Sequence, residues 1–380
     1  MRKLVETVYR TEGIMIKIAI VLITLFLNAL AVVAQADGDL RTKIEELTQK
    51  LYEEGKLHGA LLVAEGEEII YEGAFGFADR NLKIPNSPHM RFWNASIGKM
   101  FTAVLILQLV EEGKLQLNDP ISKHLTWFKH PESDKITIHD LLAHRSGFKS
   151  TVYEERDKAE HNEKSQRSIL EHKISKVDLA FEPGTAFLYS NTGYVLLSEI
   201  IMGNWGTDYN KILQERLFIP LGMKQTYWSE AVYGPNTPVL YLQDGNAYLA
   251  LHDRDFTGAG GEKTTLRDMH KFMLAAGTNQ LLSQESWNLA FTPHSLPSEA
   301  KSDWGPHQSP YGYGFSLIDL PYSPNQTAKT ISHGGAGKGT SSYALRFLKE
   351  NRIVILWNNE FKDPMLFELY LALSEGNSKK

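Results

Sequence analysis

The 380-residue chain has no cysteine. Thiol nucleophiles, disulfides and cysteine-ligated metals are therefore excluded together. It also lacks a phosphate-binding loop and a dinucleotide fingerprint. Gly312-Tyr313-Gly314 and the glycines between 334 and 339 have neither the spacing nor the strand–turn–helix context. Neither helical zinc motif, HExxH nor HxxEH, is present. The nearest histidine pair, His139 and His144 with Asp140 between them, fits neither spacing, and His139 reads as a structural residue of a short helix at 138–142. No metal and no cofactor is implied. A strong charge of either sign is missing too: 40 basic against 45 acidic residues leave a net charge of −5 with no basic stripe, which argues against nucleic acid as the main partner. What remains is an ordinary globular composition, long enough to bury a large core as one large or two intertwined domains.

Three short motifs stand out in order: Ser96-Ile97-Gly98-Lys99, Tyr189-Ser190-Asn191 and His333-Gly334-Gly335. A serine hydroxyl is a weak nucleophile that needs an adjacent base. Residues three apart on a helix share a face, so Ser96 and Lys99 are expected to point into one space. Asn94 or Ser96 is expected to cap that helix, both being favoured caps. The run from 100 to 110 is apolar almost all round, the mark of a buried helix, and it ends near Gly113. Burial of Lys99 at the mouth of such a helix suits a lysine that moves protons. Tyr189 offers a phenol that can act as a base. The glycines after His333, expected just before a strand, let backbone approach a ligand closely. The three motifs together point to an acyl-transfer site with a small-molecule or peptide substrate.

The N-terminus reads as a targeting signal. Lys17 precedes an apolar stretch at 18–33 that ends in Ala34-Gln35-Ala36, an A-x-A cleavage pattern. Residues 1–36 are expected to be a signal peptide, with Met15 a more typical start than Met1. The protein is then exported, periplasmic or secreted, and touches a membrane only if the signal stays uncleaved as an anchor. A hydrolase domain is expected at 39–380. It opens with an amphipathic helix at 39–54 carrying Leu40, Ile44, Leu47 and Leu51 on one face. Strands are expected at 60–64 and 68–77, a largely helical subdomain at about 90–251, strands near 313–318, 341–348 and 353–357, and a closing helix at 364–374. The densely charged stretch at 151–177 reads as a solvated helix or loop, or as a lid over the site.

The segment at 92–103 around Ser96, the segment at 181–194 around Tyr189, Leu141-Leu142-Ala143-His144-Arg145-Ser146-Gly147-Phe148, and Gly258-Ala259-Gly260-Gly261 followed by Thr264 to Met269 resemble the class C β-lactamase, D-alanyl-D-alanine carboxypeptidase and esterase group. The resemblance runs from about Lys43 to about Leu373. It implies an α/β (α+β) fold in which a mixed domain with an antiparallel sheet meets an all-helical domain, the site lying in the cleft. It implies Ser96 as nucleophile, Lys99 in proton transfer, Tyr189 as base or proton relay, and Asn191 orienting the lysine and the substrate carbonyl. The oxyanion hole would be the N–H groups of Ser96 and Ala336. The third motif departs from the Lys-Thr-Gly of most β-lactamases. His333, Gly334 and Gly335 offer neither a permanent cation nor a hydroxyl to a carboxylate, so esters and D-amino-acid derivatives are expected to be better substrates than β-lactams. A penicillin-binding sensor, or a non-catalytic structural protein that keeps the fold, is the alternative.

Overall fold

A computed structural model of the chain describes residues 40–152, 154–155, 165–229, 233–234, 236–248, 257–301, 309–323 and 326–361. The expected signal segment, the closing helix at 364–374 and residues 156–164 of the charged stretch lie outside the described residues. The chain divides into two compact units, residues 1–50 with 366–380, and residues 51–365. Residues 40–53 are helical. Everything that follows concerns the second unit.

Its frame is an antiparallel sheet of six strands in the order β2-β1-β11-β10-β9-β8. The strands are β1 (Gly59–Glu65), β2 (Glu68–Phe75), β8 (Ser316–Ser323), β9 (Gln326–Gly337), β10 (Thr340–Phe347) and β11 (Arg352–Asn358). β1 and β11 are near-continuous apolar runs, buried on both faces, and they pair from Gly59 opposite Asn358 to Glu65 opposite Arg352. Strands from the two ends of the unit thus close one sheet. Two small sheets complete the β structure: β3 (Phe77–Asp79) with β4 (Ile84–Pro85), and β5 (Phe92–Trp93) with β6 (Tyr227–Trp228) through β7 (Glu262–Thr264).

The Leu266–Ala275 helix lies on β1, β10 and β11. Next to it runs the Gly98–Glu111 helix, buried at every residue from Gly98 to Leu107 and again at Leu109, with only its last residue, Glu111, exposed. Phe101 locks it in place, with Phe272 and Phe218 edge-on at 4.7 and 5.4 Å between ring centroids. On its other side it meets the Asn191–Trp205 helix.

The structure corrects or refines four expectations. The strand expected at 68–77 breaks at Gly76, which takes φ +71°. The strand expected at 313–318 starts later, at Ser316, because residues 311–315 turn around Gly314 at φ +78°. A Cβ there would meet Lys99 O at 2.8 Å and Ala103 Cβ at 2.6 Å, so the turn presses on the Gly98–Glu111 helix itself. The stretch His333-Gly334-Gly335, expected just ahead of a strand, does precede β10 but is itself, with Ala336, part of β9. Finally, neither Asn94 nor Ser96 caps the helix through its side chain. The helix follows a 3-10 turn, Ala95–Ile97, with Ile97 at the cap position.

Candidate active site

Ser96 sits on that 3-10 turn. Asn94 N–H donates to Glu262 O at 2.8 Å, tying the turn to β7, and Ile97 N–H donates back to Asn94 O at 3.2 Å. Ala95 is held at φ +47°, a left-handed conformation that costs a non-glycine residue about 1–3 kcal/mol. The surrounding packing pays that cost: Ala95 is buried between the 258–261 turn and β9. The strain lifts Ser96 out of the buried helix, and Ser96 is partly exposed where its neighbours are not.

Lys99, one turn further on, is fully buried. Its Nζ lies 2.7 Å from Asn191 Oδ1, 2.7 Å from Ala259 O and 3.1 Å from Ser96 Oγ. The first two are obligate acceptors and take two N–H bonds. The third direction of the amine points at Ser96. The 258–261 turn thus contributes through its carbonyls: Ala259 O holds Lys99, and Gly258 O accepts from Thr102 Oγ1 at 2.6 Å.

Tyr189 and Asn191 flank the start of the Asn191–Trp205 helix. Ser190 Oγ caps it by accepting the Gly193 N–H at 3.2 Å. Ser150 Oγ accepts the Asn191 N–H at 2.8 Å and donates to Tyr189 O at 3.3 Å. His144 Nδ1 accepts the Ser190 N–H at 3.1 Å, and the imidazole lies against the rings of Tyr189, Tyr194 and Tyr311 at 4.4, 4.9 and 4.7 Å. The Tyr189 hydroxyl is hydrogen-bonded to Ser96. Burial pushes its pKa above the ordinary tyrosine value, against the opposing effect of that hydrogen bond. The Lys99 ammonium position lies 5.0 Å from the Tyr189 ring centroid.

β9 forms the opposite wall. His333, Gly334, Gly335 and Ala336 stand opposite Ala344, Tyr343, Ser342 and Ser341 of β10. Gly335 faces the nucleophile turn so closely that a Cβ would lie 2.4 Å from Asn94 O, 3.0 Å from Ala95 Cβ and 2.3 Å from Ser342 Oγ. Ser342 Oγ also donates to Asn94 O at 2.8 Å, which pins the sheet to the turn. Ala336, the next residue along, is exposed. His333 is buried, 6.2 Å from Tyr189 between ring centroids, with Nδ1 2.6 Å from Gly334 O and Nε2 3.0 Å from Tyr311 Oη.

The structure therefore gathers Ser96, Lys99, Tyr189 and Asn191 into one hydrogen-bonded set, with His333 to Ala336 along its edge. Sequence reasoning missed Ser150, Ala259 and Tyr311. Ala259 acts through a backbone oxygen and leaves no side-chain signal. Tyr311 could have been suspected from its place in Tyr311-Gly312-Tyr313-Gly314, a glycine-punctuated turn. Among the described residues no group of three or more histidine, aspartate or glutamate side chains is placed to hold a metal ion. The arrangement supplies a nucleophile, an amine aimed at it, a neutral phenol within reach and, for a substrate, the 333–336 segment of β9, which runs past the last residue of that strand paired with β8; this is what acyl transfer requires.

Comparison with known proteins agrees with this chemistry. A family model described as "Beta-lactamase" matches residues 43–375. Penicillin-binding protein 4* of Bacillus subtilis is 27% identical over 356 residues, covering 88% of this chain and 75% of that protein. A putative penicillin-binding protein, PbpX, of the same organism is 31% identical over 287 residues, covering 73% of this chain and 66% of its own length. The octameric penicillin-binding protein homologue from Pyrococcus abyssi shares the fold, with a TM-score of 0.74 at 24% identity, covering 88% of this chain and 76% of that one.

Proposed function

The chain belongs to the β-lactamase family of serine hydrolases, and on that premise we propose that it hydrolyses neutral esters or D-amino-acid derivatives through an acyl-enzyme on Ser96, in preference to β-lactams. The observation that carries the mechanism is the coordination of Lys99. With N–H bonds given to Asn191 Oδ1 and Ala259 O, the neutral form of the amine would turn its lone pair to Ser96 Oγ and take its proton across 3.1 Å. Ser96 Oγ then bonds to the substrate carbonyl carbon. The oxyanion is received by the N–H groups of Ser96 and Ala336, each donor being worth roughly 2.7–4 kcal/mol in the transition state. Tyr189 keeps its proton at neutral pH, since burial raises its pKa. In this reading it is a relay: it gives its proton to the leaving group as the bond to carbon breaks, and recovers one from Lys99. Water attacks the acyl-enzyme by the same route in reverse, releasing the acid and restoring the Ser96 hydroxyl. Asn191 holds the amine with Oδ1 and turns its amide toward the substrate carbonyl.

The substrate preference rests on β9. A lysine at position 333 would present a fixed cation to a substrate carboxylate, whereas His333 spends both ring nitrogens on Gly334 O and Tyr311. Charge-assisted hydrogen bonds are roughly twice as strong as neutral ones, so penicillin-like acids lose more than neutral esters do. Export belongs to the same reading. It rests on the apolar stretch at 18–33 and on Ala34-Gln35-Ala36, and N-terminal sequencing of the exported protein is expected to begin at Asp37. The comparison that tests the preference is kcat/KM for benzylpenicillin against a short-chain aryl ester at neutral pH, in wild type and in His333→Lys. The ester is expected to win in wild type, and the margin is expected to narrow in the variant. Penicillin turnover exceeding ester turnover in wild type would contradict this assignment of β9.

A further inference from the structure

We propose that Tyr311 is a positioning residue that locks His333 as the Nδ1–H tautomer and so keeps the edge of the site uncharged beside the substrate. The inference builds on the ester-hydrolase reading but is decided by its own geometry. His333 Nδ1 lies 2.6 Å from Gly334 O. A carbonyl only accepts, so Nδ1 carries a hydrogen. In the neutral ring Nε2 is then an acceptor, and the group facing it at 3.0 Å is the Tyr311 hydroxyl, which donates.

The surroundings keep the Tyr311 proton in place. Tyr311 is buried, and its ring is enclosed by His144 at 4.7 Å, His333 at 5.9 Å and Tyr189 at 6.4 Å between centroids. Burial raises its pKa well above the ordinary tyrosine value, with the neighbouring Tyr194 and Tyr189 adding to the rise. Tyr194 donates its own proton to Leu142 O at 2.9 Å and is also hydrogen-bonded to Tyr311, so the Tyr311 hydroxyl lies between two acceptors, Tyr194 Oη and His333 Nε2. Among the described residues, the titratable groups facing the imidazole are Tyr311 from the 309–315 turn and Tyr189 from the loop before the Asn191–Trp205 helix, with Lys99 beyond the Tyr189 ring. From β10, Tyr343 sends its hydroxyl to Ser332 Oγ at 3.0 Å.

The consequence is a specificity rule. With Nε2 occupied as an acceptor, His333 has no N–H to offer a substrate anion, and protonating it would require Tyr311 to give up its donor role. Removing the Tyr311 hydroxyl frees Nε2 to take a proton and face the substrate as a cation.

The test combines a spectrum and a rate ratio on the full chain. In ¹⁵N-histidine-labelled protein the His333 ring is identified by its loss in His333→Gln. Its Nδ1 is expected to be pyrrole-like and its Nε2 pyridine-like in wild type from pH 5.5 to 8. In Tyr311→Phe the ring is expected to interchange tautomers and to become protonated toward the acid end of that range. In parallel, kcat/KM is compared for phenyl butyrate and 3-(butyryloxy)benzoate, which differ by a carboxylate on the leaving group. The wild-type ratio is expected to stay flat across that pH range. In Tyr311→Phe the carboxylate ester is expected to gain about fivefold as pH falls. An Nε2–H tautomer in wild type, an unchanged tautomer in Tyr311→Phe, or a wild-type ratio that titrates near pH 6.5 would each overturn the proposal. If Tyr311→Phe does not fold, the wild-type spectrum decides alone. Absence of any ester hydrolysis would defeat the functional reading while leaving the tautomer result to stand by itself.

Discussion

Replacing Gly335 with alanine adds one methyl group at the point where β9 meets the nucleophile turn. That methyl would lie 2.4 Å from Asn94 O and 2.3 Å from Ser342 Oγ, with Ala95 Cβ at 3.0 Å. Ser342 Oγ can rotate away only by surrendering its bond to Asn94 O. Asn94 O is backbone, fixed in turn by the Asn94 N–H bond to Glu262 O on β7. Either the strand or the turn must therefore retreat, by about 0.6 Å to reach the shortest Cβ contact that real structures tolerate. Site geometry has to hold within roughly 0.5 Å for productive chemistry, and losing one oxyanion donor costs about 10²–10³ in kcat. Overpacking of this kind also costs about 1–3 kcal/mol of stability. Gly335→Ala is therefore expected to lower kcat on an aryl ester about 100-fold or more, with a modest loss in thermal unfolding temperature and a native circular dichroism spectrum. Activity within threefold of wild type in a folded Gly335→Ala protein would refute the claim that the contact between β9 and the turn sets the oxyanion geometry.

Two further outcomes follow from the same structure. Lys99→Ala and Tyr189→Phe are each expected to cost about 10²–10⁴ in kcat/KM, and the double variant less than the product, because a base and its relay act as a unit; fully additive losses in steady-state kinetics would show that they work separately. Away from the site, burial tends to raise the Asp119 pKa, but hydrogen bonds from Lys123, the Gln116 N–H and His124 outweigh it and hold the carboxyl at about 2. A depressed carboxylate pKa stabilises the fold above the unfolded value of about 3.9 and loses that contribution as pH falls through about 2. Asp119→Asn is thus expected to melt below wild type at neutral pH, with the gap in melting temperature closing between about pH 4 and pH 2; a gap that stays constant down to pH 2 would contradict this.

Much of the site was legible because its chemistry is written in side chains at short spacings. Ser96 and Lys99 stand one helical turn apart, and the apolar run after Lys99 announces a helix with no exposed face. Tyr189 and Asn191 could be named from their motif, but what aims them could not. Ser150 and His144 reach the same loop from about 40 residues upstream, and no local pattern encodes such a contact. The capping expectation failed for a tertiary reason: Asn94 is held by β7 and by Ser342, so Ala95 is forced into a left-handed conformation and the turn before the helix becomes 3-10. His333-Gly334-Gly335 reads as a glycine stretch just ahead of a strand, where backbone can approach a ligand. In the structure those glycines sit in β9 because the close approach to Asn94 leaves no room for a side chain at Gly335. A strand was expected from residue 313, yet Gly314 bends the 311–315 segment against the Gly98–Glu111 helix, and Tyr311 at the start of that bend meets His333.

The central claim is that Ser96 carries the acyl group. The most direct measurement is to mix the purified protein with an excess of an aryl ester, quench in acid during turnover, and read the mass of the peptide containing residues 92–103. A single acyl group on Ser96 is expected, rising and decaying with the ester supply, while Ser96→Ala protein shows neither adduct nor turnover. Acyl transfer to any other residue, or hydrolysis by Ser96→Ala at a substantial fraction of the wild-type rate, would contradict the account.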